Sequence, residues 1–269
     1  MLTDSVQTRI TLDDLASELL PSSLITAITN VTIERWRRQT MNHQHAPLRP
    51  QTKPGSPQRV LPVVVLGETV IQPVRFPDPL VMRIEEGKSY RAMLEAMRSD
   101  SEVLLVFVSE PELAGFRSSV AQRLPTVGVI ARVQEVTKPS GATHRIQIDA
   151  LSRADVVARI DHAPFYQAAC IPRPDPIIGA TAVASLMRHV KQHITELAQR
   201  ISPTDAPYGM DFVNRMVAFV NSIQEPGRLA DAVAAGPMFS FGERLALLQM
   251  FDPVERLRTV EQKLGSEPN

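Results

Sequence analysis

An α+β fold, strands before helices in separate layers, is what this sequence predicts, and three observations carry it. In the first, Val127, Val129, Ala131 and Val133 alternate with Gly128, Ile130, Arg132 and Gln134. In the second, His144, Ile146, Ile148 and Ala150 alternate with Arg145, Gln147, Asp149 and Leu151. A period of two sends one set inward and leaves the other outside. Lys138-Pro139-Ser140-Gly141 places proline and glycine where a turn needs them, so the two runs read as a β-hairpin. The third observation is the cluster Pro172-Arg173-Pro174-Asp175-Pro176, beyond which apolar residues recur at helical spacing.

Thr11-Leu12-Asp13-Asp14 opens a helix with a hydroxyl cap and first-turn carboxylates, and Leu12, Leu15, Leu19 and Leu20 form its apolar side. After Pro21-Ser22-Ser23 a second helix runs to about Gln39, with Ile25, Ile28, Val31 and Trp36 on one side. Residues 1–40 are therefore expected to form a helical N-terminal extension. Residues 41–58, rich in Pro, Gln and His, read as a flexible linker.

Arg59–Leu66 is a strand. Val70–Leu80 holds Pro73, Pro77 and Pro79, which bar it from a central strand, and is expected to be a surface loop with Phe76 caught between prolines. Leu80–Ile84 resumes a short strand. Lys88–Arg98 is a helix with Tyr90, Met93, Leu94 and Met97 inward, and Val103–Val108 is a buried strand. Glu110–Arg123 reads as an irregular loop. After the hairpin, Asp155–Ile160 and Phe165–Ile171 are two further strands. Helices follow over Ile178–Ile201, Asp211–Gln224 and Pro226–Ala235. Ser240–Glu243 is a capping box for another, and Asp252-Pro253 begins the last.

Composition limits the function classes. Lys+Arg 29 equals Asp+Glu 29, and aromatics are 5% of the chain. Proteins that grip phosphate backbones show a basic excess and stacking aromatics, so both values argue against a nucleic-acid partner. The single Cys170 permits no intrachain disulfide, and it fits a reducing, cytoplasmic setting. No segment approaches the ~20 apolar residues of a spanning helix, so no membrane partner is expected.

Short motifs yield no catalytic centre. Gly87-Lys88-Ser89 precedes a helix, but a phosphate-binding loop needs glycine where Met82 stands, and Glu85 and Glu86 would repel phosphate. His189 and His193 share a helix face without a third ligand. His43 and His45 lie in the linker, and Cys170 lies in an apolar run. No cofactor and no metal is expected.

A further pattern lies in Leu61-Pro62-Val63-Val64-Val65-Leu66, then Pro73, then Pro79-Leu80. Thr126-Val127-Gly128, Ala150-Leu151-Ser152-Arg153-Ala154, Pro226-Gly227-Arg228-Leu229-Ala230-Asp231 and Asp252-Pro253-Val254-Glu255-Arg256-Leu257 continue it. Together these pieces resemble the N-terminal, substrate-binding domain of the Lon protease family, in family order, over roughly Val60 to Leu264. Gln72, Asp78 and Ala150 depart from the family pattern. The resemblance implies a PUA-like pseudo-β-barrel over 59–172, a helical bundle over 173–264 and a tail at 265–269. The family's ATPase and serine–lysine protease modules have no counterpart before Asn269, so proteolysis is not expected of this chain.

What the resemblance implies is a non-catalytic polypeptide-binding module that holds or recruits unfolded or tagged segments. A protease or chaperone would be its further partner. Pro73, Phe76, Pro77 and Leu80 are the expected contacts, since a sheet edge and an apolar loop can accept an extended chain. The alternatives are a nucleic-acid-binding module of the same barrel class, or a self-associating adaptor.

Overall fold

The computed structural model describes residues 57–117, 124–137, 143–162, 164–178, 180–201 and 209–266. The expected extension at 1–40, the linker up to residue 56 and the Lys138–Gly141 turn lie outside the described residues. Among the described residues six strands, β1 (Arg59–Gly67), β2 (Leu80–Glu85), β3 (Glu102–Val108), β4 (Val127–Thr137), β5 (Thr143–His162) and β6 (Phe165–Pro172), form one mixed sheet. Helices α1 (Lys88–Arg98) and α2 (Glu110–Arg117) interrupt the strands. Helices α3 (Ala180–Arg200), α4 (Gly209–Ser222), α5 (Pro226–Ala234), α6 (Phe241–Gln249) and α7 (Pro253–Ser266) follow them. This is the expected α+β order.

β5 rolls the sheet. The Asp155–Ile160 segment is not a separate strand, because β5 runs unbroken for 20 residues. Its first part pairs with β2, its middle with β4 and its last part with β6. Register shifts at Ile130/Ala131, Val133/Glu135 and Val156/Ala158 mark irregularities along it. Such bulges bend and twist a strand. The sheet order is β2-β5-β4-β3-β1-β6, and β6 returns to pair with β5. The result is a pseudo-barrel with β2 left at an edge, not a regular closed barrel.

Two cores explain the unbroken apolar runs. Leu61, Val63 and Val65 of β1 enter one core, and Val64 enters the other. In β3, Leu104 and Val106 part in the same way from Val103, Leu105 and Phe107. A strand buried on both faces shows no alternation. At Gly128 a Cβ would stand 2.6 Å from the Leu105 carbonyl oxygen, so the close approach of β4 to β3 requires glycine.

Two local expectations need correction. Met97 is 43% exposed rather than inward. The buried stripe of α1 is Ala92, Met93 and Ala96, narrow enough to leave Met97 at its rim. Residues 110–117 form helix α2 instead of a loop. Its signal was present: the Ser109 backbone N–H and hydroxyl both donate to Glu112 Oε2 at 2.8 Å, half of a capping box. The box expected at Ser240 is complete, with Glu243 N–H donating to Ser240 Oγ at 3.3 Å and Ser240 N–H to Glu243 Oε2 at 2.8 Å.

The helices enclose their own core around Val183, Met187, Val190, Leu229, Val233, Leu257 and Val260. A buried charge cluster joins it to the strands. Arg153 of β5 donates to both oxygens of Asp231 of α5, at 2.8 and 2.5 Å, and its Nε donates to the Leu248 carbonyl at 3.0 Å. Arg256 of α7 pairs with Asp175, lies 3.3 Å from Asp231 through Nε, and donates to the Met250 carbonyl at 2.8 Å. Arg153, Asp231 and Arg256 are all buried.

Gly227 sits directly against this cluster. A Cβ there would overlap the Asp175 carboxylate and crowd Arg256. Gly227→Ala should therefore cost about 1–3 kcal/mol through overpacking. It should lower the denaturation midpoint at unchanged slope; an unaltered midpoint would contradict the geometry.

Candidate functional site

Residues 70–80 connect β1 to β2 and contain the expected contact residues. The surface-loop expectation holds only for their second half. Val70, Ile71, Gln72 and Val74 are buried. Val70 and Ile71 join the strand core, whereas Val74 joins the helical core. Gln72 Nε2 donates to the Arg244 carbonyl at 2.8 Å. This stretch is therefore a strap across both layers, because its apolar residues outweigh the tendency of proline-rich segments to stay outside. It emerges only from Arg75 onward.

Pro73 is half-buried in the strap. Phe76 is half-buried, its ring centroid 5.4 Å from that of Phe219 at 45°, on the helical core. Pro77 is exposed at the tip beside Asp78 and Pro79. Leu80 opens β2 opposite Ile148 and packs on the strand core. The four residues thus follow one another along the connection, Pro73 within the strap, Phe76 and Pro77 at the turn and Leu80 at the start of β2, without converging on a pocket.

The connection leads into the open side of β2. This strand pairs with β5 alone, and among the described residues no other backbone hydrogen bond reaches it. Every second residue of such an antiparallel edge strand turns its N–H and C=O outward. Leu80, Met82 and Ile84 face the strand core, while Arg83 lies on the other face, directly opposite Arg145.

Of the other candidates, Lys88 and Ser89 have structural roles. Lys88 Nζ donates to Tyr166 Oη at 3.0 Å and stands 4.2 Å from the centre of that ring. Ser89 Oγ accepts from the Val65 N–H at 3.1 Å and donates to the Val65 carbonyl at 3.3 Å. Gly87-Lys88-Ser89 is a strand-to-helix corner pinned to β1 and β6. His189 is exposed and His193 half-buried on α3. Among the described residues no group of three or more His, Cys, Asp or Glu is placed to hold a metal. His43 and His45 lie outside the described residues.

An open groove of about 700 Å³ lies between α3 and the end of α4, lined by Met187, Arg188, Lys191, Thr195 and Asn221 among others. Lys191 is tied down there, donating to the carbonyls of Asn221 at 2.9 Å and Ile223 at 2.6 Å. It satisfies carbonyls that the end of α4 leaves open. Burial holds its ammonium below the usual lysine range.

The residues that sequence reasoning left without a role are Arg153, Asp175, Asp231 and Arg256. Their signal was charge set inside apolar context, as in Ala150-Leu151-Ser152-Arg153-Ala154 and Leu229-Ala230-Asp231. Burial pushes the Asp231 carboxyl up, and the hydrogen bonds and charges of Arg153 and Arg256 oppose that push. No helix among the described residues is long and apolar enough to cross a membrane.

Comparison with known proteins follows the same outline. Residues 60–264 match the family model of the ATP-dependent protease La (LON) substrate-binding domain. The Lon protease of Chloroflexus aggregans is 42% identical over 205 residues, which cover 76% of this chain and 24% of that protein. The Lon protease of Escherichia coli is 26% identical over 215 residues, covering 77% of this chain and 25% of its own length. This chain thus spans about a quarter of the length of the curated relatives it matches. The N-terminal domain of the Mycobacterium avium complex Lon protease has the same fold, with a TM-score of 0.59 at 20% identity, over 78% of this chain and 100% of that one.

Cys170 offers a direct check on burial. Desolvation pushes its thiol up to about 11. A reactive cysteine needs a thiol shifted down instead. An aromatic disulfide reagent at mildly alkaline pH should leave the native chain untouched and titrate one thiol after denaturation. Rapid native-state reaction would contradict the packing of β6.

Proposed function

The chain belongs to the Lon substrate-binding-domain family, and from that premise we propose that it recognises polypeptides and breaks no bonds itself. The family match supports substrate recognition. The single observation that supports a location is the turn at Phe76 and Pro77, which emerges from the strap after Pro73 and leads through Leu80 into β2, whose second edge has no backbone partner among the described residues. An unpaired edge supplies backbone donors and acceptors to any extended chain, so recognition tolerates sequence and favours unfolded or tagged segments. Bond-breaking belongs to a partner, a protease module or a chaperone-linked one, and the site of action is the cytoplasm.

The exposed tip at Pro77-Asp78-Pro79 can meet a ligand, while Phe76 and Leu80 keep the connection in place from the two cores. A reduced, carboxamidomethylated and fluorescently labelled protein should bind the purified chain saturably. Its folded, disulfide-intact form should bind far more weakly. Absence of saturation into the high micromolar range, or equal affinity for folded and unfolded forms, would overturn the reading.

A further inference from the structure

At the open edge of β2 two like charges stand side by side, one on β2 and one on β5. Arg83 and Arg145 are directly opposed in the β2–β5 ladder, so both side chains lie on one face of the sheet. Like charges in that relation repel. Neither arginine makes an ion pair among the described residues, although Glu85 and Glu135 lie on the same face of neighbouring strand positions. Arg83 is exposed, whereas Arg145 is half-buried with Nε and one terminal nitrogen shielded from solvent and without an acceptor. Buried charged donors left unpaired are costly; an incoming carboxylate would meet Arg83 directly, and would meet Arg145 once its guanidinium turns out of its shielded position.

The opposite face of β2 has a different chemistry. Leu80 and Met82 are half-buried and Ile84 buried, all on the strand core. A strand laid along β2 would therefore project alternate residues beside the arginines and the remainder beside these apolar side chains.

We propose that the β2 edge receives an extended segment in which acidic and apolar residues alternate, added to the sheet as a further strand. This rests on the polypeptide-recognition reading above and specifies which class of segment is preferred. The carboxylates pair with Arg83 and Arg145, and the apolar residues extend the row of Leu80, Met82 and Ile84. The backbone hydrogen bonds come from the outward-facing amides and carbonyls of β2. Net neutrality of the whole chain does not oppose this, because the pair acts over a range no longer than the ~8 Å screening length at physiological salt.

The test compares labelled peptides on the full chain. One alternates glutamate and valine, the second has glutamine for each glutamate, and the third has the first peptide's composition with all glutamates preceding all valines. The alternating acidic peptide should bind about tenfold more tightly than the glutamine peptide, the value of roughly one charged hydrogen bond. Added salt should erase that margin. Arg83→Gln, at an exposed site, should remove it without changing the melting midpoint. The block peptide should bind several-fold more weakly than the alternating one.

Equal binding of the glutamate and glutamine peptides overturns the charge preference. Equal binding of the block and alternating peptides overturns strand addition. Undiminished affinity in Arg83→Gln removes the site from β2. Displacement of the peptide by a single-stranded oligothymidylate at equal charge assigns the arginines to phosphate and overturns the proposal as well. If the unfolded protein binds saturably and none of the peptides does, this inference falls while polypeptide recognition stands. If neither binds, both fall.

Discussion

Two arginines facing two carboxylates hold the helices against the strands. Arg153 projects from β5, in the part of that strand that pairs with β4 close to where β6 takes over. Asp231, Arg256 and Asp175 come from α5, α7 and the proline-rich connection between β6 and α3. Burying such groups gains little net stability over an apolar contact of similar shape, but removing one partner leaves a charge stranded, at about 3–5 kcal/mol. The cluster therefore acts mainly by excluding other arrangements. Only one placement of the helices brings both oxygens of Asp231 to Arg153 and the Leu248 carbonyl to Arg153 Nε. Arg173 reinforces that placement by pairing with Asp155 at 2.7 Å while its guanidinium stands 4.0 Å from the Phe251 ring centre.

The candidate surface depends on that placement. The strap at 70–74 has one end in the strand core and the other in the helical core, so its path is fixed only when the two are in register. Gln72 makes the dependence explicit, since its amide reaches a carbonyl of α6. Phe76 then stops on Phe219 of α4, and Leu80 begins β2. The β2 edge is thus carried by β5 on one side and led in by a strap that the helical layer anchors. A surface proposed to accept chains of many sequences still needs a rigid template, because flexibility in the template would add to the ordering cost of the ligand.

Much of this was legible in the sequence, and the divide follows the range of the interactions. Alternation in β4 and β5, the change of period after Pro172 and the Ser240 capping box are local patterns, and they read correctly. The return of β6 to β5 and the pairing of Arg153 with Asp231, 78 positions apart, leave no local trace beyond charge in an apolar setting. The α2 helix was different. Ser109 and Glu112 carry its start signal, while the irregular polarity of the stretch points to a loop. The strap differs for the opposite reason: prolines at 73, 77 and 79 carry a strong local loop signal, whereas the burial of Val70, Ile71 and Val74 depends on cores distant in sequence. Of the candidate site, Pro73, Phe76, Pro77 and Leu80 could be named from the sequence as one proline-rich connection, but which core each one leans on was invisible. That choice depends on how the two layers meet.

An open edge strand is a hazard to any soluble protein, because it offers a template to a second copy of itself. Charged residues are a common remedy, and Arg83 stands in the middle of β2. Two copies joined antiparallel through this edge would bring their arginine pairs onto one surface, where Arg83 and Arg145 already repel within a single copy. The same feature that discourages self-pairing leaves positive charge beside free backbone groups. Protection against one's own kind and preference for an acidic guest are then two consequences of a single arrangement. Neither requires the chain as a whole to be basic, which is why a net charge of zero is no guide to what this edge selects.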